Sequence, residues 1–175
     1  LFVLLFLQHG ANWLVIKTTG DLQQRAISVS KKVWLILVPI AVLFLLASLI
    51  STNLYANYLE TPLFFIVILV TVVALLSMRV FIAKQKAWKA WFASALTIIG
   101  ATFFGIIGLF PALFPSSIDR AFSLTAFNSS SSPLTLKIML GVVIVFVPIV
   151  LIYQIWAFNM FKNPISEEDS DATVY

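Results

Sequence analysis

Long apolar stretches separated by polar connections are the feature that most constrains how this chain can fold. An α-helix needs roughly 20 apolar residues to cross the ~30 Å hydrocarbon core of a bilayer. Lipid offers no hydrogen bonds to an exposed backbone, so only helices and closed barrels span it. We therefore predict an all-α integral membrane bundle of five transmembrane helices, at residues 1–16, 33–51, 62–83, 90–114 and 136–161, the first of them truncated.

The composition excludes the main alternatives to a membrane protein. Hydrophobic residues make up 61% of the 175 residues and charged residues 10%, whereas soluble domains have about 45–50% apolar and about 25% charged residues. A disordered chain is excluded as well, because it would need low hydrophobicity and high net charge. The chain has no cysteine, which excludes disulfides, thiolate metal sites and thiol nucleophiles within these residues.

Basic residues concentrate in every second connection between the predicted spans. Because Lys and Arg favour the cytoplasmic side of a membrane, the pattern predicts an N-out, C-in orientation. The formal net charge of +4 then reflects topology, which we favour over a nucleic-acid-binding patch. Nine of the 11 basic residues follow this pattern: Lys17, Arg25, Lys31 and Lys32 in the first connection, Arg79, Lys84, Lys86 and Lys89 around the third, and Lys162 after the last span. The other two, Arg120 and Lys137, lie in the long connection before the last span and at its far end.

His9 is the only ionisable side chain deep in a predicted span, and no Asp or Glu lies in any span. Proton relays and ion pathways are usually marked by such residues, so we do not expect this chain alone to be a proton pump or carboxylate-coupled transporter. One interpretation of His9 is a haem ligand or proton-transfer group. We favour the other, a buried imidazole that hydrogen-bonds a neighbouring helix, because polar groups commonly join membrane helices.

The fourth predicted span carries small residues at steps of three and four. Such a stripe lets another backbone approach closely, which favours helix association in lipid. The opposite, bulky side is expected to face lipid or fill a seam of the bundle. The small residues are Ser94, Thr97, Ala101, Gly105, Gly108 and Ala112, and the bulky ones are Phe92, Leu96, Ile99, Phe103 and Ile107.

We divide the chain at its last predicted helix. Residues 1–163 are predicted to form a transmembrane four-helix bundle plus one further helix, with an outer loop at 115–135 that contains a short interfacial helix. Residues 164–175 are predicted to be an acidic, solvated cytoplasmic tail. The sequence has no Gly-rich phosphate loop, HExxH motif or nucleophile elbow, so it predicts no catalytic residue.

Three stretches resemble one known family. Residues 10–26 (GANWLVIKTTGDLQQRA) are similar to the helix-to-loop segment of subunit II of the cytochrome bd quinol oxidase family. The shared features are a Gly-Ala pair, a basic residue followed by Thr, a Gly and an Arg-Ala. Residues 110–140 and 147–162 resemble the same subunit's outer connection and last helix. The order and spacing match, and the chain corresponds to the C-terminal half of the family subunit.

The resemblance implies a respiratory complex of the bacterial or archaeal plasma membrane that oxidises quinol and reduces dioxygen to water. In that family haem b and haem d lie in subunit I, and subunit II binds no haem but packs against subunit I and stabilises it. The implied partners are subunit I, the N-terminal half of the chain's own subunit and, in some members, a small third subunit. Some members also hold a structural quinone or contribute a proton path.

The resemblance transfers no catalytic or cofactor-binding residue onto this chain. It implies structural roles in the first motif, which matches at Gly10, Thr18, Gly20 and Arg25. The expected roles are close helix approach at Gly10, a helix terminus at Gly20 and a cytoplasmic anchor at Arg25. Gly105 and Gly108 are expected to serve helix packing as members of the small-residue stripe.

A different class of function stays open at this stage, namely half of a membrane transporter or permease. Such proteins often place the substrate at helices that are kinked or broken near the bilayer midplane. Pro39 and Pro148 lie inside predicted spans, where proline removes a backbone hydrogen bond and tends to kink a helix. These two prolines are the sequence support for the alternative.

Overall fold

The structure is a computed structural model that describes residues 1–161 and 163, and most of these residues are helical. The elements in chain order are α1 (Phe2–Lys17), α2 (Gly20–Ser51), α3 (Ala56–Glu60), a 3₁₀ turn (Pro62–Phe64), α4 (Phe65–Ala83), α5 (Ala87–Leu109), β1 (Ala112–Phe114), a second 3₁₀ turn (Arg120–Phe122), β2 (Leu124–Thr125) and α6 (Pro133–Met160). The acidic tail predicted at 164–175, like Lys162, lies outside the described residues.

The predicted all-α membrane fold is confirmed. Within the described residues, four helical segments are long and apolar enough to cross a membrane: α2, Pro62–Ala83, α5 and α6. The fifth, α1, is a shorter apolar helix. Each of the five predicted spans therefore corresponds to one observed helix.

Two helix boundaries differ from the hydropathy pattern for identifiable reasons. The helix α2 begins at Gly20 rather than at 33, because hydropathy marks the lipid-embedded part of a helix and not its polar extension. The helix α5 ends at Leu109 rather than at 114, because Ala112–Phe114 pairs as a strand with Leu124–Thr125.

Residues 1–109 form a compact unit built on four helices. The helix α1 packs against α2 and α5, and α4 packs against α5 and α2, so the four close into a ring. Short connections make α1 antiparallel to α2, and α4 antiparallel to α5. The buried core comprises Leu5, Leu37, Leu75, Met78, Ile82, Ala90 and Ala93.

The link between α1 and α2 shows how the sequence sets the first helix reversal. Thr18 leaves the helical conformation (φ −126°), and its hydroxyl donates to the carbonyl of Leu14 at 2.7 Å. Gly20 follows with a φ of 68°, a left-handed conformation that glycine adopts without a Cβ clash. The expected helix terminus at Gly20 is thus the start of α2.

At the other end of this unit, α3 caps the carbonyl end of α5. Tyr58 is fully buried, and its hydroxyl donates to the Phe104 carbonyl at 3.0 Å. The amide of Asn57 donates to the Ile107 carbonyl at 2.7 Å. These side chains satisfy carbonyls near the end of α5, some of which have no partner within the helix.

Residues 110–163 form a second unit. The strands β1 and β2 pair antiparallel, and α6 starts at Pro133 after the N-cap Ser132. The predicted interfacial helix is wrong, because the loop contains only one 3₁₀ turn among these residues. Local side-chain bonds, such as Ser123 Oγ accepting from the Ser116 amide at 3.0 Å, hold the backbone in turns instead.

Candidate functional site

Three neutral polar side chains are buried together inside the apolar bundle. Gln8 and Asn12 lie one turn apart on α1, and Ser30 faces them from α2. Their exposed fractions are 0%, 2% and 0%. Buried polar groups are costly unless they are hydrogen-bonded, so this polar layer is the first candidate site.

The hydrogen bonds of the polar layer run in one direction and join three helices. Gln8 Nε2 donates to Ser30 Oγ at 2.7 Å, and Ser30 Oγ donates to Asn12 Oδ1 at 2.7 Å. Asn12 Nδ2 then donates to the Ala90 carbonyl of α5 at 3.3 Å. Gln8 Oε1 is buried and has no hydrogen-bond partner within the described residues.

His9 makes the kind of contact that the favoured sequence interpretation expects, a hydrogen bond to a neighbouring helix. Its Nδ1 lies 2.8 Å from Ser94 Oγ on α5. Ser94 Oγ also lies 2.7 Å from the Trp91 carbonyl oxygen, and when its hydroxyl donates there, Nδ1 is the donor in the pair with His9. This assignment leaves Nε2 of the neutral ring without a proton.

The contacts of His9 within the described residues are with protein side chains. Its ring packs against Trp91 at 4.9 Å between centroids, and it lines neither of the two cavities described below. No group of three or more His, Cys, Asp or Glu side chains comes together in residues 1–161 and 163. The haem-ligand interpretation of His9 gains no support from this geometry.

Aromatic and basic side chains surround the polar layer. The guanidinium of Arg79 lies over the Trp34 ring, 5.7 Å from its centroid, and Trp34 Nε1 donates to the Leu75 carbonyl at 2.9 Å. Lys17 lies over Trp13 in the same manner, at 5.3 Å. Tryptophan beside basic residues is typical of the membrane–water interface, and this places the layer near one face of the bilayer.

Two cavities flank the polar layer. A polar cavity of about 130 Å³ lies where the α1–α2 and α4–α5 connections meet, and its polar lining residues are Asn12, Gln23, Gln24, Ser30 and Gln85. An apolar cavity of about 60 Å³ lies toward the opposite end, and its lining includes Leu1, Leu5, Leu37, Leu75 and Phe104. Gln8 lies between Leu5 and Asn12 on α1, so the layer separates the two cavities.

The glycines of the predicted structural set have different surroundings. A Cβ built on Gly108 would lie 2.8 Å from the carbonyl oxygen of Leu54, which belongs to the connection between α2 and α3. A Cβ built on Gly10 or on Gly105 would have no heavy atom of the described residues within 4 Å. Among the described residues, therefore, no neighbouring helix packs closely against Gly10, although such packing had been expected. The predicted anchor Arg25 pairs with Asp21 at 2.6 Å, and both side chains are exposed.

Sequence reasoning missed several residues of the site. Gly100 was not assigned to the small-residue stripe, yet a Cβ there would collide with the Thr71 side chain of α4. Ser30 lies in a polar stretch of α2 that carries no motif, and nothing local indicates that it faces α1. Arg79 was counted for topology alone.

The prolines proposed for a transporter site do not break their helices. Pro39 lies inside α2 and Pro148 inside α6, and both helices continue through them. Broken helices with free backbone groups are what builds a substrate site at the midplane in transporters. Neither of the two helices shows that arrangement.

These observations define a multi-pass helical membrane protein whose bundle holds a layer of neutral polar side chains near one face of the bilayer. Comparison of the sequence with known proteins gives the family. The chain belongs to the family of cytochrome bd terminal oxidase subunit II, whose family model matches residues 1–161.

Individual relatives agree with the family assignment. The chain is 33% identical over 177 residues to a probable cytochrome oxidase subunit 2 of Haemophilus influenzae, covering 86% of this chain and 47% of that protein. It is 30% identical over 169 residues to the cytochrome bd ubiquinol oxidase subunit 2 of Bacillus subtilis, covering 95% and 48%. The chain thus spans about half the length of these relatives.

Proposed function

We propose that this chain is the C-terminal half of subunit II of a respiratory quinol:dioxygen oxidoreductase. The observation that carries the proposal is the family match across residues 1–161. The relative in Bacillus subtilis is named as a subunit of a cytochrome bd ubiquinol oxidase. On this proposal, the complex oxidises quinol and reduces dioxygen to water.

We infer a structural role for the chain within that complex. Its buried polar residues are neutral and bond mainly to one another and to backbone carbonyls, a pattern that joins helices. Haem b and haem d would lie in the partner subunit I, against which this chain would pack. The N-terminal half of its own subunit, a small third subunit and a structural quinone are further proposed components.

The proposed orientation is N-out, C-in in a bacterial or archaeal plasma membrane. The basic residues Lys31, Lys32 and Lys84 then lie at the cytoplasmic face. Arg79 and Trp34, which contact each other, lie at the same level. In this orientation the polar cavity opens toward the cytoplasm, and the end capped by Tyr58 faces outward.

Co-purification with the haem-bearing subunit tests the proposal. The tagged chain, co-expressed with its N-terminal half and subunit I, should recover subunit I and quinol oxidase activity. A matched preparation without the chain should lose most of that activity, because the haem arrangement would lack its support.

Two results would contradict the proposal. One is a stoichiometric haem spectrum from this chain purified alone. The other is normal assembly and oxidase activity in the preparation that lacks the chain. Substrate flux into liposomes that contain only this chain would favour the transporter alternative instead.

A further inference from the structure

Two buried polar atoms of the bundle have no hydrogen-bond partner among the described residues. One is an acceptor, Gln8 Oε1, and the other is a donor, Arg79 Nη1. Buried polar atoms in native proteins are nearly always paired, with protein or with ordered water. An unpaired guanidinium nitrogen costs more free energy than an unpaired amide oxygen, because the guanidinium group is charged.

Both atoms belong to side chains that contact the same turn of α2. Gln8 Nε2 is bonded to Ser30 Oγ, and the Arg79 guanidinium lies over the ring of Trp34. Ser30 and Trp34 are four residues apart and so share one helix face, about 6 Å apart along the axis. An acceptor and a donor in need of partners therefore flank one helical turn.

The polar cavity reaches this turn. Ser30 and Ile82 both line it, and Ile82 lies one turn beyond Arg79 on α4. The other polar groups of the lining are amides, from Gln23, Gln24 and Gln85, and none of the lining residues is charged. Neutral groups that both donate and accept hydrogen bonds are well suited to solvating water.

We propose that this cavity and the adjoining turn of α2 bind a cluster of ordered water molecules, which donate to Gln8 Oε1 and accept from Arg79 Nη1. A volume of about 130 Å³ holds several waters at about 30 Å³ each. An anion without a bound proton would accept from Arg79 but could not donate to the Gln8 amide oxygen. Water is the simplest ligand that does both, and this inference does not rest on the proposed function.

X-ray hydroxyl-radical footprinting of the assembled complex tests the water cluster. Radiolysis converts bound water to hydroxyl radicals, which oxidise the side chains that the water touches. Ile82 is buried and lines the polar cavity, so Ile82→Met places an oxidation reporter in that cavity. We expect this reporter to be oxidised at least tenfold faster than a methionine introduced by Leu37→Met, a buried position that lines the apolar cavity.

A cavity-filling variant links the oxidation to this cavity. Ala87 lines the polar cavity as well, and Ala87→Leu should displace water and slow oxidation of the Ile82→Met reporter several-fold. If Leu37→Met fails to assemble, Leu5→Met provides the same control. The proposal is overturned if the Ile82→Met reporter reacts no faster than the control methionine, or if Ala87→Leu leaves the reporter's oxidation rate unchanged.

A high-resolution map of the complex supplies an independent measurement. We expect water density within hydrogen-bond distance of both Gln8 Oε1 and Arg79 Nη1. Density for an anion at Arg79, with none beside Gln8, would overturn the proposal in favour of an anion site.

Discussion

The two ends of the bundle formed by residues 1–109 bury their polar groups in opposite ways. At the end with the short connections, amide and hydroxyl side chains bond to one another and border a polar cavity. At the other end, tyrosines of the α3 region reach backbone carbonyls directly: Tyr58 bonds to Phe104 and Tyr55 to Leu45.

The comparison shows what each kind of side chain contributes. A tyrosine fills a large volume and carries one hydroxyl, so it can seal a helix end and satisfy one carbonyl. An amide has two donor hydrogens and an acceptor oxygen, and Gln8 has a group left over after bonding inside the bundle. The tyrosine end is therefore closed by packing, whereas at the amide end Gln8 Oε1 can still accept a hydrogen bond from a ligand.

Truncation of Tyr58 is expected to have the largest effect on stability. Tyr58→Ala should cost about 3–5 kcal/mol, because it leaves a cavity in a fully packed site. Tyr58→Phe keeps the packing and loses one hydrogen bond, so about 1 kcal/mol is expected. Thermal unfolding of the purified complex measures both. Equal losses for the two variants would show that packing does not hold this end together.

Removal of Ser30 at the amide end should cost less. Ser30→Ala removes both 2.7 Å hydrogen bonds and leaves Gln8 Nε2 and Asn12 Oδ1 with only their longer mutual bond of 3.3 Å, at about 1–3 kcal/mol. Gln8→Leu combined with Ser30→Ala should cost clearly less than the sum of the single changes, with a coupling of about 0.5–3 kcal/mol. A double-mutant cycle on thermal stability measures the coupling, and strict additivity would contradict the hydrogen-bond chain.

Alanine substitutions at two glycines test how closely the backbone is packed at each end of the bundle. Gly108→Ala should destabilise by about 1–3 kcal/mol, because the new methyl group would press on the Leu54 carbonyl at the tyrosine end. Gly10→Ala, in open space on α1, should be neutral or stabilise slightly through helix propensity. If Gly10→Ala disrupts assembly of the complex, a partner chain approaches α1 there, as the family motif implies.

The last prediction concerns the pH dependence of stability at the tyrosine end. Burial, with a contribution from Tyr55, raises the pKa of Tyr58 from 10.0 to about 12. Folding therefore favours the protonated phenol, and the resulting stability is complete below pH 10 and is lost as the pH rises toward 12. Wild type should lose its advantage over Tyr58→Phe in that window, as measured by thermal unfolding at each pH. A constant difference up to pH 12 would contradict the pKa shift.

Much of the fold could be predicted because a single physical requirement dominates it. Every spanning segment must be helical and apolar for about 20 residues, and such segments are visible in one sequence. The predicted interfacial helix does not form, because a short segment such as that around Phe122 makes too few helical hydrogen bonds to offset the free-energy cost of nucleation. Local turns involving Ser123 compete with the helix as well.

The site was predictable only in part, because its contacts join residues far apart in sequence. Polarity singled out His9, for which an interhelical hydrogen bond was expected. Its partner Ser94 could not be chosen from the sequence, and neither could Ser30, since serines occur on several helices and no local signal sets which face is buried. On α5, Gly100 is buried and Gly105 is only half-buried. The buried face of α5 is therefore rotated slightly from the expected small-residue stripe, and residue size alone does not reveal this rotation.

The length of α2 has a consequence for how this protein enters a membrane. Its 32 residues extend about 48 Å at 1.5 Å per residue, well beyond the ~30 Å hydrocarbon core. The overhang is the polar N-terminal part, and Ser30 lies near its boundary with the apolar part. The insertion machinery therefore needs to release only the apolar two thirds of α2 into lipid. Gln8, Asn12 and Arg79 then lie at headgroup depth, where moving a polar side chain out of water costs far less free energy than at the bilayer centre.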